Sequence, residues 1–455
     1  MFGLKKKAFN GREKRISVVF DKFSLGKDGA AGALCASKSV NCDCRDGVIR
    51  SGLGLRAYKI DGTSVLALSG EVASKFFLLD TAADVNEVGS TKLYCLTEEG
   101  EAYGYTASER AYAFALCLAK DSKFAVVADQ SGNKFAIFSS DGEFYVKTKT
   151  GWRGQLLENA TTAICACKNR VFIGVKPATV AYSNPLSPSD FTAAKETAGK
   201  VGLVYDFGEI VALICFQNSV FVFHEHGVAR MEIEGLATEF KIEPLDYAGG
   251  EIYGDSVGVC GNSVFFLAVD GAYRFDGKKF HRVAEGLGIA PNPTVKDCAW
   301  AVCGDKFVLR YTGVDGNKRC AVIAADGKSG YFMSDREGLS QCGGAALCRS
   351  GSWVYALSEG DALGSGEAYE FTTQTTDFGV TGRKMLRKLR FEGEGSVNVY
   401  VYSDGLVKNE MKYFVDSVAD MDVFVRGEDF YFTFLLGERS CIRKIAAELS
   451  VAAAE

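Results

Sequence analysis

One unit of about 45 residues recurs along most of the chain, and this repeat limits the possible folds more than any other feature. In each unit a small apolar segment ends in a polar turn, and an aromatic or β-branched segment follows. The turn residues are separated by 43 to 49 residues. They are Ser74, Asp121, Asn169, Asn218, Asn262, Asp305 and Ser350.

Several units contain a second turn in which glycine precedes an aromatic segment. Examples are Asp141-Gly142, Asp270-Gly271 and Gly366-Glu367. Glycine and Asn-Ser pairs supply the positive φ that a two-residue hairpin requires. Two hairpins make four strands, and four strands in a repeat of this length are typical of a propeller blade. Because no helical pattern separates the strands, a doubly wound α/β fold is excluded.

The predicted fold is therefore an all-β propeller of about seven four-stranded blades over residues 55–375. Residues 1–54 combine a basic start with a Gly/Ala/Ser-rich stretch, and we expect an extended N-terminal arm that becomes ordered on a partner. The repeat stops at residue 376. Alternating segments at 396–402 and 429–436 predict a C-terminal β-sandwich over 376–455.

Charge and composition limit the classes of function. The chain has 52 Lys and Arg against 57 Asp and Glu, a net charge of −5. This excludes a nucleic-acid-binding protein that relies on an overall basic charge. No apolar run reaches the ~18 residues of a membrane-spanning helix. The lysines of Met1–Lys7 are not followed by an apolar segment, so no secretory signal is expected.

The chain has 15 cysteines, an odd number. There is no C-x-x-C pair, and the C-x-C pairs Cys42/Cys44 and Cys165/Cys167 have no histidines at zinc-site spacing. Most cysteines lie among Ala, Val and Leu. We therefore expect buried, reduced thiols, no metal, and synthesis in a cytosol.

Residues that could perform chemistry are few. His224 and His226 would share a strand face at i and i+2, a geometry that two metal ligands can use, but no third ligand is apparent. No histidine is tied to a Ser or Cys nucleophile by a recognisable motif. The sequence predicts no enzyme and no cofactor.

Basic residues concentrate in one strand-like segment and at the N-terminus. The candidates for assembly or phosphate contacts are Arg383, Lys384, Arg387, Lys388, Arg390, Lys5, Lys6 and Lys7. For residues 383–390 the alternative is a solvated edge strand, which Lys and Arg protect against aggregation.

Several segments resemble podovirus-type bacteriophage tail hub or nozzle proteins, including packaged-DNA stabilisation proteins. They are YSNPLSPSDF at 182–191, IVALICFQNSVFVF at 210–223 and IYGDSVGV at 252–259. The segment KMLRKLRFEGEGSVNVYVYSDG at 384–405 is similar to the terminal β-domain of these proteins.

This resemblance implies a structural virion protein that is assembled in the host bacterial cytoplasm and located in the virion tail. It implies a ring, typically a hexamer, below the portal and adaptor, with tail fibre or needle proteins as further neighbours. Double-stranded DNA would pass through the ring without sequence recognition during ejection, and packaged DNA would be retained. A mildly acidic chain can line such a conduit without DNA adhering to it. No small-molecule substrate is implied.

Two other functions stay open at this stage. Carboxylates in turns, such as Asp270 and Asp276, and aromatic residues at blade corners are compatible with a carbohydrate-binding or glycan-cleaving propeller. A cytosolic propeller that acts as a scaffold for other proteins is the third hypothesis.

Overall fold

The fold is taken from a computed structural model. The residues it describes are 5–9, 13–24, 34–60, 63–64, 73–79, 92–97, 99, 102–105, 110–112, 122–128, 134–140, 143–148, 151–156, 161–187, 190–192 and 196–452. Within these ranges the helices are single 3₁₀ turns at Arg45–Gly47, Ala237–Glu239 and Glu285–Leu287, and none is long and apolar enough to cross a membrane.

Nine short strands precede the first blade in the described part of the chain. They are β1 (Lys5–Phe9), β2 (Glu13–Phe20), β3 (Phe23–Ser24), β4 (Leu34–Val40), β5 (Cys42–Asp43), β6 (Ile49–Ser51), β7 (Leu53–Ala57), β8 (Lys59–Ile60) and β9 (Thr63–Ser64).

Blades 1 to 3 are antiparallel four-stranded sheets whose strands pair in chain order. Blade 1 contains β10 (Ala73–Leu79), β11 (Lys92–Thr97), β12 (Ala102–Tyr105) and β13 (Arg110–Tyr112). Blade 2 contains β14 (Lys123–Ala128), β15 (Lys134–Ser140), β16 (Glu143–Thr148) and β17 (Gly151–Leu156). Blade 3 contains β18 (Thr161–Cys167), β19 (Arg170–Val175), β20 (Thr179–Tyr182) and β21 (Gly199–Gly202).

Blades 4 to 6 repeat this pattern. Blade 4 contains β22 (Ile210–Phe216), β23 (Ser219–His224), β24 (Val228–Glu232) and β25 (Lys241–Leu245). Blade 5 contains β26 (Ile252–Cys260), β27 (Ser263–Ala268), β28 (Gly271–Phe275) and β29 (Phe280–Val283). Blade 6 contains β30 (Cys298–Cys303), β31 (Lys306–Thr312), β32 (Lys318–Ala324) and β33 (Gly330–Met333).

Blade 7 is completed from the other end of the chain. It contains β34 (Glu337–Cys342), β35 (Ala345–Ser350) and β36 (Trp353–Glu359), and its fourth strand is β7. The N-terminal strand β7 runs antiparallel to β36, with Leu53 opposite Glu359 and Ala57 opposite Tyr355. This pairing closes the ring, and the prediction of an all-β propeller is confirmed with seven four-stranded blades.

The predicted turns are found at the first hairpin of four blades. Lys168-Asn169 and Gln217-Asn218 have positive φ at both positions, and Gly261 and Gly304 supply it before Asn262 and Asp305. In the other blades the predicted turn residues do not lie at the first hairpin of the described structure. Ser350 precedes the second hairpin of blade 7, Ser74 lies inside β10, and Asp121 is outside the described residues. Gly, Asn, Asp and Ser favour turns at either hairpin of a blade. The period therefore predicts the spacing of the turns but not which hairpin a turn belongs to.

The remaining strands are β37 (Tyr369–Thr373), β38 (Lys384–Ser403), β39 (Leu406–Gly427), β40 (Phe430–Leu436) and β41 (Cys441–Ala452). With β1 to β6 they form an eleven-stranded assembly, here called the terminal sheet. The long strand β38 pairs with β39 along one side, and with β41 and then β40 along the other. Aromatic and aliphatic residues from both chain ends share one core, in which the rings of Phe20 and Phe378 lie 6.0 Å apart.

The predicted domain boundaries change accordingly. The described part of the N-terminal arm is extended, but it is ordered on this chain's own C-terminal region: β2 pairs with β41, and β4 pairs with β37. The β-sandwich predicted for residues 376–455 is thus not a separate unit of the C-terminal residues, because its strands share one eleven-stranded sheet with strands from residues 1–54. The segment that begins at Gly366-Glu367, expected to form a blade hairpin, supplies β37 to the terminal sheet. Alternating apolar residues predict strands, but not which distant strand they pair with.

The propeller and the terminal sheet are joined by a buried asparagine. The Asn41 side chain donates to the Ser334 hydroxyl (3.0 Å) and to the Ala368 carbonyl (2.9 Å), and its amide oxygen accepts from the Ser334 N–H (2.9 Å). Because these bonds satisfy both ends of a fully buried amide, they fix the position of one unit on the other.

Candidate assembly surfaces and an interdomain cleft

The axis of the propeller is occupied by an ion cluster. From β14 through β18, β22, β26, β30 and β34 to β10, the first strands of successive blades contact one another and surround the axis. Asp255 on β26 reaches across it to form ion pairs with Lys123 on β14 and with Lys75 on β10 (3.8 Å). Burial raises the pKa of the Asp255 carboxyl, but the two lysines outweigh it and the net shift is downward. Side chains of blades 1, 2 and 5 therefore meet where an open pore would have to run.

Replacing Asp255 with asparagine is expected to lower the free energy of unfolding at neutral pH by about 1–2 kcal/mol, because Lys75 and Lys123 lose their shared carboxylate. The folded-state pKa of Asp255 lies below its unfolded value, so its contribution is fully present above the unfolded pKa and is lost as the pH falls through the folded pKa. The difference between wild type and D255N in urea denaturation should therefore shrink below pH of about 4. A difference that persists undiminished in strong acid would contradict this role.

The basic segment 383–390 lies mostly in β38, and its charges are largely engaged. Lys384 is buried and donates to the Glu428 carbonyl, and Arg387 Nε donates to the Ser450 hydroxyl (2.9 Å). Lys388 pairs with Asp420 (2.8 Å), and Arg390 Nε lies 3.9 Å from the same carboxylate. Arg383 is exposed.

The solvated edge strand considered for this segment is therefore wrong, because β38 has strands on both sides. Contact of the segment with phosphate stays a prediction, with Arg383 as the residue least engaged within the described structure. Lys5, Lys6 and Lys7 lie in β1, whose backbone pairs with β2. In the strand order β1-β2-β41-β38-β39, here called the long branch of the terminal sheet, β1 lies at the edge opposite β39.

The outer edge of β39 is the most prominent candidate for an assembly surface among the described residues. No described strand pairs with this edge, although β39 is 22 residues long. Three large apolar side chains of β39 are exposed: Leu406 (62%), Val418 (42%) and Phe424 (60%). Soluble proteins usually shorten, charge or cover such edges, so a long edge with exposed apolar residues is a candidate for pairing with another chain.

The two neighbouring histidines do not form a metal site. His224 ends β23, is fully buried, and its Nδ1 lies 2.9 Å from the Gly208 carbonyl oxygen, whereas His226 is exposed. The prediction that the two histidines share a strand face is therefore wrong, because His226 lies beyond the end of β23. Burial lowers the pKa of His224, so its ring is neutral at neutral pH. Among the described residues, no three His, Cys, Asp or Glu side chains are grouped to hold a metal ion.

The cysteines follow the prediction with one exception. Twelve described cysteines are not in a disulfide, and most of them are buried. Burial raises the pKa of thiols such as Cys320 and Cys348. Cys167 and Cys215 instead form a disulfide between β18 and β22, with their Cα atoms 5.5 Å apart. The expectation of reduced thiols is wrong for this pair, because adjacent first strands place the two residues side by side. Cys117 lies outside the described residues.

A polar cleft of about 350 Å³ lies between the propeller and the terminal sheet. The propeller contributes Lys306 from β31 and Glu359 from β36. The terminal sheet contributes all the other charged residues of the lining, which are Asp43, Arg45, Arg50, Glu394, Arg439 and Arg443. The sequence did not predict this site because its cations come from separate segments, none of which is basic enough to be recognised by itself.

The three carboxylates of the cleft are each paired with a cation. Asp43 pairs with Arg45 (2.8 Å), Glu359 with Lys306, and Glu394 with Arg443. No carboxylate of the described lining is therefore left unpaired. At the rim, burial raises the pKa of Asp305, but Lys306 and Arg45 outweigh it and the pKa is lowered. The cleft thus favours negative charge.

No protein-family model and no curated protein sequence matches this chain. Among solved structures, BBS1N in complex with ARL6DN is similar over 67% of this chain and 96% of that chain, with 9% identity and a TM-score of 0.42. Virginiamycin B lyase from Staphylococcus aureus is similar over 67% of this chain and 99% of that chain, with 9% identity and a TM-score of 0.44.

Proposed function

We propose that this chain is a structural ring subunit of a bacteriophage tail, positioned below the portal and adaptor, which extends the DNA conduit and retains packaged DNA without catalysing a reaction. The observation that carries the proposal is the unpaired outer edge of β39 with its exposed apolar side chains. The edge gives the subunit a surface for joining another copy by extending the sheet.

The two edge strands of the long branch of the terminal sheet, β1 and β39, differ in charge. This difference supports head-to-tail assembly. In sequence, the second half of β39 carries Asp416, Asp420 and Asp422 against one arginine, Arg426, whereas β1 at the opposite edge carries Lys5, Lys6 and Lys7. Different complementary surfaces on one subunit make heterologous contacts, and these close into rings when the rotation between copies allows it.

The ion cluster at the propeller axis favours a DNA path between subunits over one through a single propeller. Since Lys75, Lys123 and Asp255 meet inside the propeller, a duplex would pass through the lumen between subunits rather than through a single propeller. The net charge of −5 favours passage without strong adhesion.

The double substitution Val418→Lys and Phe424→Lys is expected to weaken self-association by about tenfold or more, because it places two charges on the pairing edge. Light scattering coupled to size-exclusion chromatography over a range of protein concentrations measures this effect. The matched control is Val204→Lys, which adds a charge at a residue that is 94% exposed on the propeller and should leave association unchanged.

The charge difference adds a second readout to the same experiment. Because the contact joins basic and acidic edges, association should weaken as salt is raised. A wild-type chain that stays monomeric at every concentration and salt would contradict ring assembly, as would equal loss of association in both variants.

A further inference from the structure

We propose that the cleft between the propeller and the terminal sheet is a binding site for a phosphate-class oxyanion, with Arg50 and Arg439 as its principal ligands. The inference goes beyond ring assembly and rests on the cleft alone.

Two guanidinium groups of the cleft form no close ion pair with a described carboxylate. A hydrogen bond from Ser358 lowers the pKa of Asp361, and Arg56 and, at longer range, Arg439 act in the same direction. Three of the five lining cations are paired with the three lining carboxylates. Arg50 Nη1 donates to the Arg45 carbonyl (3.1 Å), and Arg439 Nε donates to the Gly360 carbonyl (2.9 Å). No described carboxylate lies within ion-pair distance of either group. The lining residues therefore carry a net charge of +2, which becomes +1 when Asp305, the rim carboxylate that also pairs with Arg45 and Lys306, is counted. An oxyanion would balance this remaining positive charge.

Backbone pairing brings these two arginines to the same place. Arg50 on β6 is directly opposite Cys441 on β41, and the Ser51 N–H donates to the Ser440 carbonyl (3.1 Å). Arg439 lies two residues before Cys441, and Arg443 lies two residues after it. Side chains of such neighbouring positions can reach one another, so the cations converge around Cys441.

The backbone also holds Arg439 in place. Gly360 has a φ of +72°, and a Cβ atom built there would lie 3.0 Å from Arg439 Nε. The glycine thus lets the guanidinium lie against the main chain, with its remaining N–H groups directed elsewhere.

The chemistry of the lining favours phosphate over other ligands. A guanidinium presents a planar fork of donors that matches two oxygens of a phosphate group, and such charge-assisted bonds are the stronger ones. The volume of about 350 Å³ is sufficient for a small phosphorylated ligand. The same groups would accept a backbone phosphate of a polynucleotide at the open side.

Cys441 provides a local readout, because it is a half-buried free thiol in the lining. With sodium phosphate as the probe, at ionic strength matched with sodium chloride, alkylation of Cys441 followed by peptide mass spectrometry should slow down and the Tm should rise. In R50Q and R439Q the apparent affinity for phosphate should fall about tenfold or more. R439K, which keeps the charge without the fork, should show a smaller loss.

R230Q is the matched control, since Arg230 lies in blade 4 and is paired with Glu232 (3.3 Å). It should bind phosphate as the wild type does. Phosphate effects no larger than those of chloride would overturn the proposal, as would protection of Cys441 that persists in R50Q and R439Q. A DNA duplex that protects Cys441 identifies the source as a polynucleotide, whereas protection by phosphate alone identifies a small phosphorylated ligand; both support the site. Failure of ring assembly leaves these readouts unaffected.

Discussion

Replacing Gly54 with alanine is expected to lower the free energy of unfolding by about 3 kcal/mol or more. The added methyl group would push β7, the strand that closes the propeller, away from the main chain at Asp361 and Ala362. A Cβ atom at Gly54 would lie 1.9 Å from the Asp361 carbonyl oxygen and 2.8 Å from that of Ala362. Both are backbone atoms, so no side chain can rotate away. The neighbouring Leu55 N–H donates to the Ala362 carbonyl (2.7 Å), and this bond would be disturbed as well.

Closure by a remote strand explains why this effect should be large. The five residues of β7 provide the fourth strand of blade 7, and Leu53 and Leu55 pack in the core between blades 6 and 7. Displacing β7 therefore exposes the pairing edge of β36 together with buried apolar surface.

Urea denaturation followed by circular dichroism measures the change, and Gly202→Ala is the matched control. Gly202 also lies in the fourth strand of a blade, and a Cβ atom there meets nothing within 4 Å. This control should change stability by less than about 0.5 kcal/mol. If G54A were as stable as G202A, the close contact at Gly54 would be contradicted.

The second large effect is expected for Arg336→Met, which should destabilise the chain by about 3 kcal/mol. Arg336 is only 1% exposed, and its Nη1 and Nη2 donate to the two carboxylate oxygens of Glu367 at 2.6 and 2.8 Å. This fork joins the start of blade 7 to the segment that leads into the terminal sheet. The substitution leaves the Glu367 carboxylate without its counter-charge, which costs more than the loss of an attraction.

A double-mutant cycle separates that cost from the value of the pair. Adding Glu367→Gln to R336M removes the unpaired charge and should recover part of the loss. Arg319→Met is the matched control, because it breaks an exposed pair with Asp315 (2.8 Å) and should cost less than about 0.5 kcal/mol. Additive losses for the two residues of the buried pair would show that they are not coupled.

The repeat was sufficient to predict the propeller, because spacing and turn chemistry are local properties. Asn169, Asn218, Asn262 and Asp305 identify hairpins correctly, and the apolar segments around them form the blades. The closing strand could not be predicted in this way. Nothing near Leu53 in the sequence indicates that its partner lies at Glu359, since that pairing depends on the ring being complete.

The candidate sites were less predictable than the fold, for a related reason. The basic segment 383–390 is conspicuous in sequence, yet Asp420 from the neighbouring strand neutralises part of it. Conversely, Arg50 and Arg439 are inconspicuous, and only the pairing of β6 with β41 brings them to one cleft. Charge in sequence predicts a surface only where its partners across strands are also known.

Electron microscopy of the purified full-length chain tests the proposed ring assembly most directly. The expected images show closed rings in which propellers surround a shared lumen, while the axis of each propeller is filled by side chains. Isolated single propellers at every protein concentration, or a duplex threaded through the axis of one propeller, would contradict the account.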